Sequence, residues 1–122
     1  MTTRQRIGAL AEDLVARHLE AQGFVILQRN LRLGHREIDI VARKEDLCVM
    51  CEVRTRGPGA FEGPLASVDA KKRAKLIRAA QRLWRERWAN DPTPPRLRFD
   101  VVGVRVDATG THVEHVPGAF TA

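Results

Sequence analysis

The chain contains no apolar run approaching the 18 or more residues that a membrane span needs. Its start, Met1-Thr2-Thr3-Arg4-Gln5-Arg6, leads into an amphipathic pattern rather than a signal peptide. A cytoplasmic protein with no membrane partner is therefore expected. Cysteine is scarce, with only Cys48 and Cys51 present. Three positions apart on a strand they face opposite ways, so chelation or a disulfide is disfavoured and two buried thiols are expected. His18, His35, His112 and His115 are scattered, and the absence of H-E-x-x-H or Cys/His spacing argues against a zinc site. Internal repeats and low-complexity tracts are also missing.

The last scarcity is local. Between Lys71 and Trp88 one acid, Glu86, stands against eight bases: Lys71, Lys72, Arg73, Lys75, Arg78, Arg82, Arg85 and Arg87. That segment carries +7 in a chain whose net charge is +6, which leaves −1 for everything else. The excess lacks the Glu/Lys alternation of a salt-bridged surface and favours a nucleic-acid partner over a merely solvated face.

At 122 residues, 43% hydrophobic and 30% charged, the chain is sized for one domain over 1–122 with a genuine core. Arg4 to Gln22 has helical periodicity, with Ile7, Leu10, Ala11, Leu14, Val15 and Leu19 on one stripe and Gly23 at the stop. Glu12 lies at the edge of that stripe; from the helix alone it reads as a solvated flank residue within reach of the sheet. Phe24 to Leu27 reads as a short strand, and Arg29 to His35 as a turn. A hairpin follows, with Arg43-Lys44-Glu45-Asp46 as its loop. Gly57 to Pro64 is a loop by its glycines and prolines, placed to lie over a site. Ser67 or Asp69 can cap a long helix running to about Ala89, with Lys71, Lys75, Arg78, Arg82 and Arg85 in one stripe. Leu76, Ile77, Ala80, Leu83 and Trp84 oppose them, and Trp84 and Trp88 are expected in the core. Strands over Leu97 to Val106 and His112 to Val116 complete the chain, with Phe120 packing on the core. The pattern predicts an α/β fold, a mixed sheet flanked by helices in the order α-β-β-β-α-β-β.

The hairpin carries the chemistry. Alternation puts Glu37 and Asp39 on one face of the first strand and Ile38, Ile40 and Ala42 on the other. On the second strand Met50, Glu52 and Arg54 face one way and Val49, Cys51 and Val53 the other. An even loop pairs odd positions with even ones, so Glu37 and Asp39 share a face with Glu52. Like charges opposed in a sheet are destabilising. Two readings remain open: a divalent cation bound through carboxylate oxygens, or a structural ion network with Arg36, Arg54 and Arg56.

The order of these residues carries a resemblance. Glu12, then Glu37-Ile38-Asp39-Ile40-Val41-Ala42, then Glu52-Val53-Arg54-Thr55-Arg56 resembles the restriction-endonuclease-like superfamily with its PD-(D/E)xK motif. More narrowly, the chain is similar to the uncharacterised bacterial YraN family, itself similar to archaeal Holliday junction resolvases. The likeness continues through Gly63-Pro64, Val68-Asp69 with Lys72 and Leu76, Arg98 to Val102, and Ala119-Phe120. It implies a restriction-endonuclease-like domain with a Mg²⁺ or Mn²⁺ site made by Asp39 and Glu52, the Val53 carbonyl as a further ligand and Glu12 completing it. Glu37 would serve structure or a second metal. Two positions depart from the family: Arg36 stands where glycine is usual, and Arg54 replaces the motif lysine. Arginine stays protonated, so Arg54 cannot be a general base, although it can donate to a phosphate or to the nucleophile.

The expected function is a metal-dependent DNA endonuclease, possibly acting at branched structures. Catalysis would fall to Glu12, Asp39, Glu52 and Arg54, and phosphate binding to Arg56, Lys71, Lys72, Lys75, Arg78, Arg82 and Arg85. A nucleic-acid-binding module that has lost cleavage through Arg54 is the alternative, and a protein with an acidic protein partner is a third. A homodimer is implied by the resemblance alone, since no exposed apolar patch in the sequence demands one.

Overall fold

A computed structural model describes residues 2–56 and 63–121, apart from the side chain of Arg56. Helix α1 (Thr3–Ala21) opens with a reciprocal cap: Thr2 Oγ1 accepts the Gln5 N–H at 3.2 Å, and Gln5 Oε1 accepts the Thr2 N–H at 2.9 Å. Strands β1 (Val25–Leu33), β2 (Arg36–Lys44) and β3 (Leu47–Arg56) follow as an antiparallel meander. A short 3₁₀ turn (Leu65–Ser67) leads to α2 (Ala70–Arg87), which crosses over so that β4 (Arg96–Asp107) runs parallel to β3. Strand β5 (Gly110–Phe120) pairs antiparallel with β4, giving the spatial order β1-β2-β3-β4-β5. The class and element order are those the sequence predicts.

The sheet separates two apolar layers. Val15, Leu19, Ile40, Val49, Cys51 and Val102 pack with α1, while Val41, Cys48, Met50, Leu83, Trp88 and Phe99 pack with α2. Cys48 and Cys51 thus face opposite sides, both free and buried. Burial pushes the Cys48 thiol up to about 11 and that of Cys51 well above its ordinary value. Trp88 is buried, Trp84 packs beside it, and Phe120 stacks on Phe99 with ring centroids 5.0 Å apart. Among the described residues no helix is long and apolar enough to cross a membrane.

Several boundaries differ from the sequence reading. Strand β1 continues through Arg29–Leu33, where polar residues suggest a turn. These sit on an edge strand, exposed on one side but paired with β2, and the turn shrinks to Gly34-His35 with Gly34 at φ +72°. The β2–β3 loop is only Glu45-Asp46, because Arg43 and Lys44 pair with Cys48 and Leu47. Strand β5 runs past Val116 to Phe120 by a register shift that accommodates Pro117 on an edge. The predicted stripe of α1 also divides. Ala11, Val15 and Leu19 are buried, but Ile7, Leu10 and Leu14 project beyond the core and line an open apolar groove with Val104 and Val106.

One buried ion group ties the far strands to α1. Asp100 accepts two 2.8 Å bonds from Arg98 and one of 3.0 Å from the Gly118 N–H, and lies 2.7 Å from His115 Nε2. Burial pushes the Asp100 carboxyl upward, but these partners outweigh it and hold it below its ordinary value. His115 Nδ1 is 3.0 Å from His18 Nε2 on α1, so two histidines that look scattered in the sequence meet. Removing the carboxylate strands Arg98 in a part-buried position. Asp100→Ala is expected to cost about 3 kcal/mol in urea unfolding, and a loss under about 1 kcal/mol would contradict this role.

Candidate metal and phosphate site

The site begins where the β2–β3 ladder ends. Pairing runs from Lys44↔Leu47 to Ile40↔Cys51 and stops there. Ile40 packs on the α1 side, yet Ile38, two residues away, packs on the α2 side. Strict alternation would put both on one face, as the sequence reading does; instead it is interrupted at Asp39. The Asp39 carboxylate takes over the next position of the ladder, its Oδ2 accepting the Val53 N–H at 2.9 Å.

Glu52 follows Met50 on the α2 side of β3 and is 3% exposed. Glu52 and Asp100 are the buried charged side chains among the described residues, and their surroundings differ. Asp100 is surrounded by short contacts. Among the described residues Glu52 Oε1 has only Arg54 Nη1 at 3.4 Å and Lys72 Nζ at 3.6 Å, both longer than the 2.7–2.9 Å usual for charge-assisted bonds. Its Oε2 is buried without a hydrogen-bond partner among the described residues. Burial, then the charge of the adjacent Asp39 carboxylate, push the Glu52 carboxyl up to about 7 against the opposing pull of Lys72 and Arg54, and Asp39 adds to the rise as the acceptor for the protonated form.

Glu12 approaches from α1. Its Oε1 is also buried without a partner among the described residues. Burial and the charge of Asp39 raise its pKa, Glu37 adds to that rise, and Arg29 and the Asn30 side chain oppose it. Asp39 therefore acts on both Glu12 and Glu52 and stands electrostatically between them. Among the described residues no three of the His, Cys, Asp and Glu side chains close around one point as a metal cage. The pair Asp39 and Glu52 nevertheless fits a hard divalent cation, which takes one or two protein carboxylates and completes its shell with water and phosphate. The two orphaned oxygens are the unmet half of that fit.

A cationic wall faces the carboxylates. Arg54 donates from Nε to Ser67 Oγ and from Nη2 to the Ser67 carbonyl, each at 3.0 Å. Ser67 Oγ donates to the Pro64 carbonyl at 2.6 Å. Pro64 in turn lies on β4 at Gly103, where a Cβ would come within 2.8 Å of Pro64 Cβ. Asp69 caps α2 by accepting the Lys72 N–H at 2.8 Å, and this sends the Lys72 side chain toward Glu52.

Of the residues predicted for the site, Asp39, Glu52 and Arg54 come together, Glu12 is coupled to Asp39 alone of these, and Val53 is held through its N–H. Lys72 belongs to this pocket as well as to the basic helix. Lys71, Lys75, Arg78, Arg82 and Arg85 are exposed on α2, with Arg82 bonded to Glu86 at 3.0 Å. Arg56 pairs through its backbone with Arg105 in β4, and its side chain lies outside the described residues. Residues 57–62 of the expected covering loop also lie outside them. Sequence reasoning missed Ser67 and Gly103 as supports of Arg54; Ser67 was visible only as a possible cap.

The model for the uncharacterised protein family UPF0102, the bacterial YraN family, matches residues 11–104. A UPF0102 protein of Sorangium cellulosum is 45% identical over 118 residues, covering 96% of this chain and 82% of that protein. A UPF0102 protein of Streptomyces coelicolor is 44% identical over 120 residues, covering 97% and 91%. Another, from a Parafrankia species, is 44% identical over 123 residues, covering 98% and 100%.

The raised Glu52 pKa has a defined sign. The folded chain keeps a proton that the unfolded chain, with a carboxyl near 4.5, releases; the resulting stability is complete below pH 4.5 and is lost as pH rises through about 7. In chelator, Glu52→Gln should therefore exceed wild type in stability at pH 8 by on the order of 1–3 kcal/mol, the gap closing toward acid. Denaturation curves across this range check the expectation, and a pH-independent difference would contradict it.

Proposed function

The chain belongs to the uncharacterised protein family UPF0102, and from that premise and the pocket geometry we propose that it is a metal-dependent endonuclease that hydrolyses DNA phosphodiesters. The single observation that carries this reading is a buried Glu52 whose second oxygen has no partner among the described residues, beside Asp39 and next to an exposed basic helix. A structural ion network would meet its carboxylates at short distance, as Arg98 meets Asp100; the 3.4 and 3.6 Å contacts of Glu52 do not. The order Glu12, Asp39, Glu52-x-Arg54 supports the same reading through its resemblance to PD-(D/E)xK nucleases and archaeal junction resolvases.

Asp39 and Glu52 would hold Mg²⁺ or Mn²⁺, with Glu12 and the Val53 carbonyl at its margin. When bound, such a cation lowers the pKa of a water and offsets charge on the attacked phosphate. The chain's own residues do the rest. Lys71, Lys75, Arg78 and Arg85 form an exposed row that attracts phosphates without regard to base sequence. Arg54 stays cationic and lends positive charge beside Glu52.

One observation favours a second reading. Arg54 occupies the motif-lysine position and is committed to Ser67 by two 3.0 Å bonds, which suits a module that binds DNA without cutting it. Labelled duplex, single-stranded, flap and four-way-junction DNA, incubated with Mn²⁺ or Mg²⁺, separates the two. The nuclease reading expects cleavage by wild type that falls roughly 100-fold or more in Asp39→Ala and Glu52→Ala, while low-salt DNA binding persists. Binding without cleavage on every substrate supports the second reading, and absence of low-salt DNA binding contradicts both.

A further inference from the structure

We infer that Lys72, and not the motif-position Arg54, is the side chain that presents positive charge to the scissile phosphodiester. This rests on the nuclease reading above and deepens it.

The two cations are held differently. Arg54 has three of its donor groups committed: Nε and Nη2 to the two Ser67 oxygens, Nη1 toward Glu52. Ser67 is itself fixed by Pro64, and Pro64 is seated on the bare Cα of Gly103. Turning the guanidinium toward a substrate would break two good hydrogen bonds and disturb that stack. Arg54 is thus a brace that positions the segment before α2 against β3.

Among the described residues Lys72 is anchored by a hydrogen bond only through its backbone. Its N–H is fixed by the Asp69 cap, while its side chain is 40% exposed and its ammonium lies 3.6 Å from Glu52 Oε1. That separation gives electrostatic attraction but no hydrogen bond, so among the described residues the three N–H donors have no hydrogen-bond acceptor. With Glu52 engaged by a divalent cation, Lys72 would lose that counter-charge, and a phosphate oxygen at the pocket rim could take its place. Lys75 lies one helical turn further along, so a backbone lying on the exposed basic row enters the pocket past Lys72. Lys72 then donates a hydrogen bond to a non-bridging oxygen as the water oxygen bonds to phosphorus and the P–O ester bond breaks, the water giving up a proton to solvent and the departing alkoxide taking one from solvent.

Two measurements test this. In cleavage assays with Mn²⁺, Lys72→Met is expected to lose roughly 100-fold in kcat, with DNA affinity changed only a few-fold, the same melting temperature in Mn²⁺, and partial rescue by Lys72→Arg. Lys72→Met cutting within threefold of wild type would overturn the inference and leave the nuclease reading intact. The second measurement needs no turnover: lysine acylation read by mass spectrometry, with Ca²⁺ and millimolar thymidylyl-thymidine as the phosphodiester. Severalfold protection of Lys72, with Lys44, Lys71 and Lys75 unchanged, supports the assignment. Equal labelling of Lys72 with and without the dinucleotide overturns it. If wild type cuts no DNA, the nuclease reading fails by that result, and the labelling alone decides whether Lys72 meets phosphate.

Discussion

Burying a carboxylate costs several kcal/mol unless hydrogen-bond donors or an opposite charge meet it. The described part of this sheet buries two, Glu52 and Asp100. Asp100 is paid for in full by Arg98, the Gly118 N–H and His115, and it joins β4, β5 and α1 into one unit. Glu52 is left with one oxygen unpartnered among the described residues, beside a second carboxylate. The contrast within one sheet separates a fully met ion group from a carboxylate that the proposed reading assigns to a cation.

Each element contributes to holding Glu52 and Asp39 side by side. The interruption of β2 at Asp39 opens the sheet between Ile38 and Ile40 and turns a side chain into a ladder acceptor for Val53. The crossover from β3 to β4 sets the start of α2 beside Glu52, and the Asp69 cap directs Lys72 there. Gly103 allows Pro64 to sit on the sheet, which holds Ser67, which holds Arg54. The same helix that closes the pocket carries Lys71, Lys75, Arg78 and Arg85 on its outer face, so the carboxylates lie at one end of a cationic row.

Much of this was legible in the residue order. The alternation in 36–42 and 50–54 brought Asp39 and Glu52 together because hairpin parity follows from loop length. The exposed row of α2 followed from its period, and the opposed cysteines from theirs. The alternation rule failed at Ile38, since a rule about regular strands carries no signal for where a ladder splits. The buried network Asp100, His115 and His18 spans 97 positions between its two histidines, a separation that no local pattern reports. Gly103 reads as one small residue in an apolar strand until Pro64 is seen on it. The predicted apolar stripe of α1 is left exposed at Ile7, Leu10 and Leu14 because periodicity marks a face but not how far the sheet beneath it extends.

The most direct test of the account is Mn²⁺ binding, followed by electron paramagnetic resonance, in wild type, Asp39→Asn, Glu52→Gln and, as a control, Asp100→Asn. The account predicts Mn²⁺ bound by wild type and by Asp100→Asn protein that remains folded, with affinity lost in Asp39→Asn and Glu52→Gln. Mn²⁺ that does not bind wild type, or binds all four alike, would contradict the claim that Asp39 and Glu52 form a cation site.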